Sequence, residues 1–295
     1  YYGQPGIGPS HIPNPNLRWE TSNNYNVGLD IEMFKSRIAI NIEGYYIKTI
    51  DLLLDRPVPM TTGFSVVYDN LGTLINQGLE FSINTVNVEG EFNWTTGLNM
   101  SFNQNEIIEL YNDIPITGVG RGNNAVLEGY PIGVFYQYNC LGVDPSTGDF
   151  IFEDLDGDGQ LSSGDRQVVG DPNPIFTGGF TNVFSYKGFE LRAFLQFSYG
   201  NDIFNGTRRY ASAMKYNSTE NLMTYVLDRW MQPGDETYMP RYNGIYNIEA
   251  SSFYIEDGSY LRFKEVTLSY SFPQKVLGKH INKLKLYVKG QNVLT

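Results

Sequence analysis

Apolar and polar residues alternate one for one over stretches of about ten residues, and the pattern recurs along most of the chain. Between 188 and 199, Phe189, Leu191, Ala193, Leu195, Phe197 and Tyr199 alternate with Glu190, Arg192, Gln196 and Ser198, with Phe194 the single exception. A strand points successive side chains to opposite faces, so such a segment has one greasy face and one wet face. The same beat predicts strands over 24–34, 37–48, 176–186, 259–272 and 281–293. Leu79, Phe81 and Ile83 mark a further strand. The cleanest is 92–102, where Phe92, Trp94, Thr96, Leu98, Met100 and Phe102 face one way and Asn93, Thr95, Asn99 and Ser101 the other. About eight long strands result, each able to pair antiparallel with the next.

Loop length alternates as strictly as side-chain polarity. The connections at Lys35-Ser36, Glu89-Gly90, Lys187-Gly188 and 273–280 are short, and those at 50–72, 104–175 and 200–258 are long. That parity is expected when all tight turns lie on one side of a membrane and all long loops on the other. The predicted fold is all-β: part of an antiparallel transmembrane β-barrel with long extracellular loops. A soluble sandwich would show the same alternation, so a soluble or surface-anchored β-rich glycan-binding module with a structural calcium stands as the alternative. The outward face separates the two: a barrel shows it to lipid, and a sandwich buries it under a second sheet.

Within the loops, residues 134–143, led by Val134, Phe135, Tyr136, Gln137 and Tyr138, read as a strand inside the 104–175 excursion. Leu222, Met223, Val226, Leu227 and Trp230 sit at helical spacing, so Thr219 to Met231 is expected to form a short helix stopped by Pro233-Gly234.

Composition narrows the function. No run of apolar residues is long enough for a membrane helix, and mean hydropathy is -0.31. A barrel needs no such run. Aromatics make up 15% of residues, with 22 Tyr and 18 Phe, a heavy load for a soluble domain. A net charge of -11 argues against nucleic acid as a partner. The lone Cys140 excludes an internal disulfide and reads as a small apolar filler. Tyr1 to Pro5 has neither the basic nor the apolar part of a signal peptide, so the chain is expected to be processed or to be a piece of something longer.

The sharpest chemical motif runs from Asp154 to Asp165, in the order Asp154, Asp156, Asp158, Gly159, Gln160, Ser162, Asp165. Carboxylates fall at loop positions 1, 3, 5 and 12 with glycine at 6, the spacing of a calcium loop. Asp154, Asp156, Asp158 and Asp165 would ligate Ca2+ with the Gln160 carbonyl, and Ser162 would act through water. The bland reading is a solvated turn, since Asp and Gly are turn formers. Asp165 in place of the usual glutamate shortens the last arm, so the expected role is to stiffen the excursion.

Catalysis finds no support. His11 and His280 have no nucleophile motif near them. Gly118, Gly120 and Gly122 match a phosphate loop in glycine count only. Tyr210, Tyr216, Tyr225, Tyr238, Tyr242, Tyr246, Phe253 and Tyr254 suit either sugar stacking or loop-core packing, and no substrate-binding residue is assigned.

Several segments resemble the SusC/RagA family of TonB-linked outer-membrane transporters, in its C-terminal barrel half. They are Pro13-Asn14-Pro15-Asn16-Leu17-Arg18-Trp19-Glu20-Thr21-Ser22, Asn70-Leu71-Gly72 with Asn76-Gln77-Gly78-Leu79-Glu80, and Gly129-Tyr130-Pro131-Ile132-Gly133. Gly170-Asp171-Pro172-Asn173-Pro174, Arg229-Trp230, Ile255 to Arg262 and Gly290 to Thr295 complete the series, in the family's order across residues 1–295. The resemblance implies a barrel of about 22 strands around a separate plug. It implies import of a glycan oligosaccharide or a peptide, driven by a TonB complex through segments other than these. It also implies a SusD-like lipoprotein as lid. On that reading the chain lacks the plug and the rest of the ring.

Overall fold

A computed structural model describes residues 12–118, 123–214, 221–244, 248–278 and 281–295. His11, His280, Tyr216, Tyr246 and most of the 118–122 glycine run lie outside the described residues. In chain order the strands are Thr21–Met33 (β1), Ile38–Ile50 (β2), Leu53–Pro57 (β3), Val66–Asn70 (β4), Thr73–Val88 (β5) and Phe92–Glu109 (β6). Ile116–Gly118 (β7), Asn124–Val126 (β8), Val134–Tyr138 (β9), Cys140–Val143 (β10), Phe150–Phe152 (β11) and Arg166–Gly170 (β12) follow. The last are Phe176–Tyr186 (β13), Phe189–Tyr199 (β14), Asp202–Phe204 (β15), Ile255–Asp257 (β16), Tyr260–Ser271 (β17) and Lys285–Leu294 (β18).

Eight of these form one antiparallel sheet in the order β1-β2-β5-β6-β13-β14-β17-β18. They are the eight strands the alternation predicts, with β5 and β6 longer at the loop end. Tight turns close one end and every long excursion leaves from the other. Lys187 and Gly188 both take the left-handed conformation (φ 47° and 88°), the turn whose twist matches the flanking strands. The turn after β1 is wider than the two residues expected, because Phe34, Lys35 and Ser36 are all left-handed.

Register explains the alternation. Ile31, Ile40, Ile83, Leu98, Phe180, Leu195, Phe263 and Leu294 are direct cross-strand neighbours, one from each strand. One step along lies a polar row on the opposite face: Asp30, Asn41, Ser82, Asn99, Gly179, Gln196 and Arg262. Because the side-chain period is two, a one-residue slip would turn every one of these residues over.

Among the described residues no second sheet covers the apolar face. Val27, Leu261 and Leu268 are 78%, 60% and 50% exposed. In water so large an apolar surface would be an aggregation hazard; against lipid it is solvated. The sandwich alternative therefore fails on the observation chosen to separate the two. Aromatic contacts gather at both ends of the apolar band. At the turn end Trp94 and Phe92 contact Phe184, and Phe189 contacts Tyr270. At the loop end Tyr25 contacts Tyr46, and Phe176 contacts Phe102, Phe197 and Tyr199. From Phe92 to Phe102 the strand covers roughly 33 Å, or about 25 Å along the membrane normal at a ~40° tilt, the height of a lipid-facing band flanked by aromatic girdles.

One outward polar group is satisfied locally. Asn182 projects outward near the turn end, where its Oδ1 accepts from the Trp94 indole N–H and the Thr96 hydroxyl, both at 2.8 Å. Gly178 lets the Phe197 ring lie flat across β13: a Cβ there would come within 2.5 Å of that ring and of the Asn99 carbonyl.

Fully buried apolar clusters sit in the loop tier and at the loop-end extension of β6 instead of in the lipid-facing band. Ile107, Leu110 and Val126 form one, and Ala125, Leu127 and Val134 a second, under the small sheet β12-β9-β8-β7. The strand expected over 134–143 is two: Val134–Tyr138, the second strand of that sheet, and Cys140–Val143, which pairs with Phe150–Phe152 instead. The expected helix at 219–231 is a correction. Its described part is a single 3-10 turn, Thr224–Asp228, while the α-helix of this excursion is Gly206–Ala211 (α1). Apolar spacing there serves packing: Val226 joins Met214 and Met239 in a third cluster, while Leu227 stays exposed.

The wall's two faces make a directional prediction. Leu98→Arg, in mid-band on the lipid face, should cost about 2–4 kcal/mol of barrel stability. Ser82→Arg, at nearly the same depth on the polar face between Asn41 and Asn99, should cost far less. Urea titration of the folded band in a heat-modifiability gel measures both. Equal losses would contradict the assignment of faces.

Candidate functional site

The two larger excursions, above β6 and β14, fold onto one another as a single tier. The Trp230 indole donates to the Pro145 carbonyl at 2.9 Å, and its ring covers Gly148, whose φ of 77° and close neighbour leave no room for a side chain. Arg241 makes a two-pronged pair with Asp149 at 2.8 and 2.9 Å, which raises the guanidinium pKa further. The Ser252 hydroxyl accepts from the Cys140 amide and donates to Asn139. Asp171 and Asp202 exchange hydrogen bonds at the base. Burial pushes the Cys140 thiol up to about 11, in keeping with an inert filler.

Three of the loop aromatics among the described residues, Tyr225, Phe253 and Tyr254, prove to be packing. Tyr254 is 1% exposed, and burial pushes its hydroxyl up to about 12. Phe253 contacts Phe150, Tyr238 and Tyr254. Tyr210, Tyr238 and Tyr242 remain exposed. Tyr238 borders a cleft of about 510 Å³ with Asn205, Arg208, Tyr225, Asp228 and Glu256. Arg208 pairs with Glu256 at 3.1 Å and lies over the Tyr238 and Phe253 rings. Asn205 caps α1 through the Arg208 amide and holds the Glu256 carboxylate through its own amide. Sequence reasoning missed this constellation, because Asn205 and Glu256 come together only when β15 pairs with β16.

The structure gathers the acidic loop as its spacing suggests. Asp154, Asp156 and Asp158 each present a carboxylate oxygen within 4.8 Å of the others. Asp154 accepts from the amides of Gly157 and Gly159 at 2.7 and 3.0 Å, Asp156 from Asp158 at 3.2 Å, and Asp158 from Gln160 at 2.7 Å. Gly159 takes a φ of 74°, as a sharp turn requires. Each carboxylate keeps lone pairs beyond these bonds, and a set of hard oxygens suits Ca2+. Asp165 lies outside this trio. It is fully buried, accepts from Leu155 at 2.9 Å and Ser162 at 2.7 Å, and closes a capping box with Ser162. Ser162 also reaches Asp156 at 3.4 Å.

Comparison with known proteins decides what this wall is. The family described as "TonB dependent receptor-like, beta-barrel" matches residues 1–293. The chain belongs to the TonB-dependent receptor β-barrel family. As a member it is an outer-membrane β-barrel protein, in a family of receptors and transporters and not of enzymes. It is 36% identical to TonB-dependent receptor P3 of Formosa agariphila over 98% of its length and 31% of that receptor's. It is 30% identical to TonB-dependent receptor SusC of Bacteroides thetaiotaomicron over 88% of its length and 27% of that receptor's. Superposed on the structure of the RagAB peptide transporter it gives a TM-score of 0.87 at 26% identity, covering 98% of this chain and 33% of that one. The chain thus spans about a third of the relatives it matches.

Hydrogen bonds donated by the Ser162 and Leu155 amides hold the Asp165 carboxyl below the ordinary aspartate value of 3.8. A carboxylate with a lowered folded pKa adds stability at neutral pH, and that gain is lost as pH falls through 3.8 toward the folded value. Protection of the Leu155 and Ser162 amides, relative to the intrinsic exchange rate at each pH, should therefore fall in Asp165→Asn at neutral pH, and in the parent only on acidification. Unchanged exchange in the variant would remove Asp165 as the anchor.

Proposed function

We propose that this barrel wall belongs to an importer that moves an oligomeric nutrient, a glycan oligosaccharide first of all, across the outer membrane. Energy comes from a TonB complex acting through segments outside this chain, and a SusD-like surface lipoprotein closes the extracellular side. The observation that carries this reading is the pairing of a lipid-facing wall with a fused, packed loop tier at one end only. A passive pore needs the wall alone. The tier offers a cleft with exposed tyrosine beside charged and amide groups, the lining that recognises sugar rings. Both sheet edges, β1 and β18, lack a partner strand among the described residues, and lipid does not tolerate open edges. Further strands must therefore complete the ring.

A peptide is the second reading, favoured by the likeness to the RagAB peptide transporter. Deleting the gene should abolish uptake of one class, tested with fluorescent neutral oligosaccharides in one arm and mixed oligopeptides in the other. A protonophore should abolish it equally. Uptake that survives the protonophore would overturn energy-coupled import.

Bound calcium at Asp154, Asp156 and Asp158, with the Gln160 carbonyl, would stiffen the 154–165 loop, and Asp165 would support it from behind. Asp156→Ala with Asp158→Ala should render the 150–170 segment more protease-sensitive than the parent in the presence of calcium, and no different in its absence. Equal cleavage of the two proteins under both conditions would sink the assignment.

A further inference from the structure

Where the wall meets its loop-end aromatic belt, the lipid-facing surface is hollow. Two adjacent rows form the hollow. Tyr25, Tyr46, Gln77 and Gln104 make the upper one, and Val27, Gly44, Leu79 and Phe102 the lower. Together they line a cavity of about 910 Å³ that Asn173 and Pro174 bound on the loop side. Gly44 is the floor. A Cβ there would meet nothing within 4 Å, and its backbone needs no special conformation, so the missing side chain is what leaves the space.

Polarity changes across the hollow in one step. The lower row is wholly apolar and continues into the aliphatic band. The upper row places two amides on a face that otherwise meets hydrocarbon. The Gln77 amide donates to Gln104 Oε1 at 3.3 Å, leaving a further donor pair on Gln104 and the carbonyl of Gln77 for other partners. Among the described residues no Lys or Arg lines the cavity, and Asp171 is its one carboxylate, which already accepts from the Asn173 amide and side chain at 2.9 and 2.7 Å.

We propose that this hollow docks an outer-leaflet glycolipid, with an acyl chain laid over Gly44 between Val27, Leu79 and Phe102 and a sugar headgroup hydrogen-bonded to Gln77 and Gln104. Three observations on the wall select that occupant. The rows are lipid-facing by register, so a membrane lipid is what covers them. They lie at the loop end, which is the extracellular leaflet of a barrel with long external loops. The rim matches hydroxyls and amides in charge, whereas a phospholipid would bring its phosphate against Asp171 with no cation to receive it. The assignment depends on the membrane setting alone and is independent of which nutrient is imported.

The test uses the full-length receptor purified in mild detergent, with co-purifying lipid counted by native mass spectrometry and by extraction. The parent should retain a glycolipid whose sugar headgroup carries no phosphate. Gly44→Leu fills the floor without strain, and should retain about tenfold less, with bulk phospholipid unchanged. Gln77→Leu with Gln104→Leu, an exposed surface change that leaves the ladder intact, should do the same. Equal glycolipid in all three proteins would overturn the proposal, and so would loss of a phospholipid in place of the glycolipid.

Discussion

In hydrocarbon no water is available to a bare N–H or C=O, so every backbone polar group must find its partner inside the protein. The eight-stranded antiparallel ladder, bulged only near Phe194, Phe263 and the two ends of β5, meets that demand at each internal strand, and the rest of the molecule follows from it. Once the ladder is continuous, strand neighbours are consecutive, and turns and excursions must fall on opposite ends. Once register is set, one face is apolar from edge to edge and the other polar. The polar face then does its own accounting: Glu190 pairs with Lys285 at 3.0 Å, Glu265 with Lys289, and Asp30 accepts from Asn41.

Conventional core burial is confined to the loops. The wall has its apolar residues solvated by lipid, and its stability rests on hydrogen bonds and on cross-strand pairs such as Trp94 with Phe184. The tier above must fold in water, so it carries the small clusters around Ile107, Val134 and Met214 that a soluble domain would have. Two solvents have thus written two packing styles into one chain.

That division governs what could be read from the residues. All eight wall strands were legible, because alternation over ten residues and strict loop parity are local signals. The acidic trio was legible too, since Asp154, Asp156 and Asp158 are spaced by the chain itself. The tier was mostly not. A helix expected from apolar spacing at 219–231 became a 3-10 turn, because Val226 and Trp230 answer to partners more than 80 residues away or to other segments, such as Pro145. The cleft around Arg208 depends on β15 meeting β16, and the outward hollow on Gly44 lying between Val27 and Leu79. Both are products of pairing, which periodicity does not encode.

The bond between Trp230 and Pro145, with the Arg241 fork on Asp149, has a mechanical consequence. It couples two excursions that leave the wall at different strands, so neither can swing without the other. A load applied to either is shared between the roots at β6, β13, β14 and β17. Whatever grips this tier from outside therefore holds a lever with several feet in the wall and no loose strap.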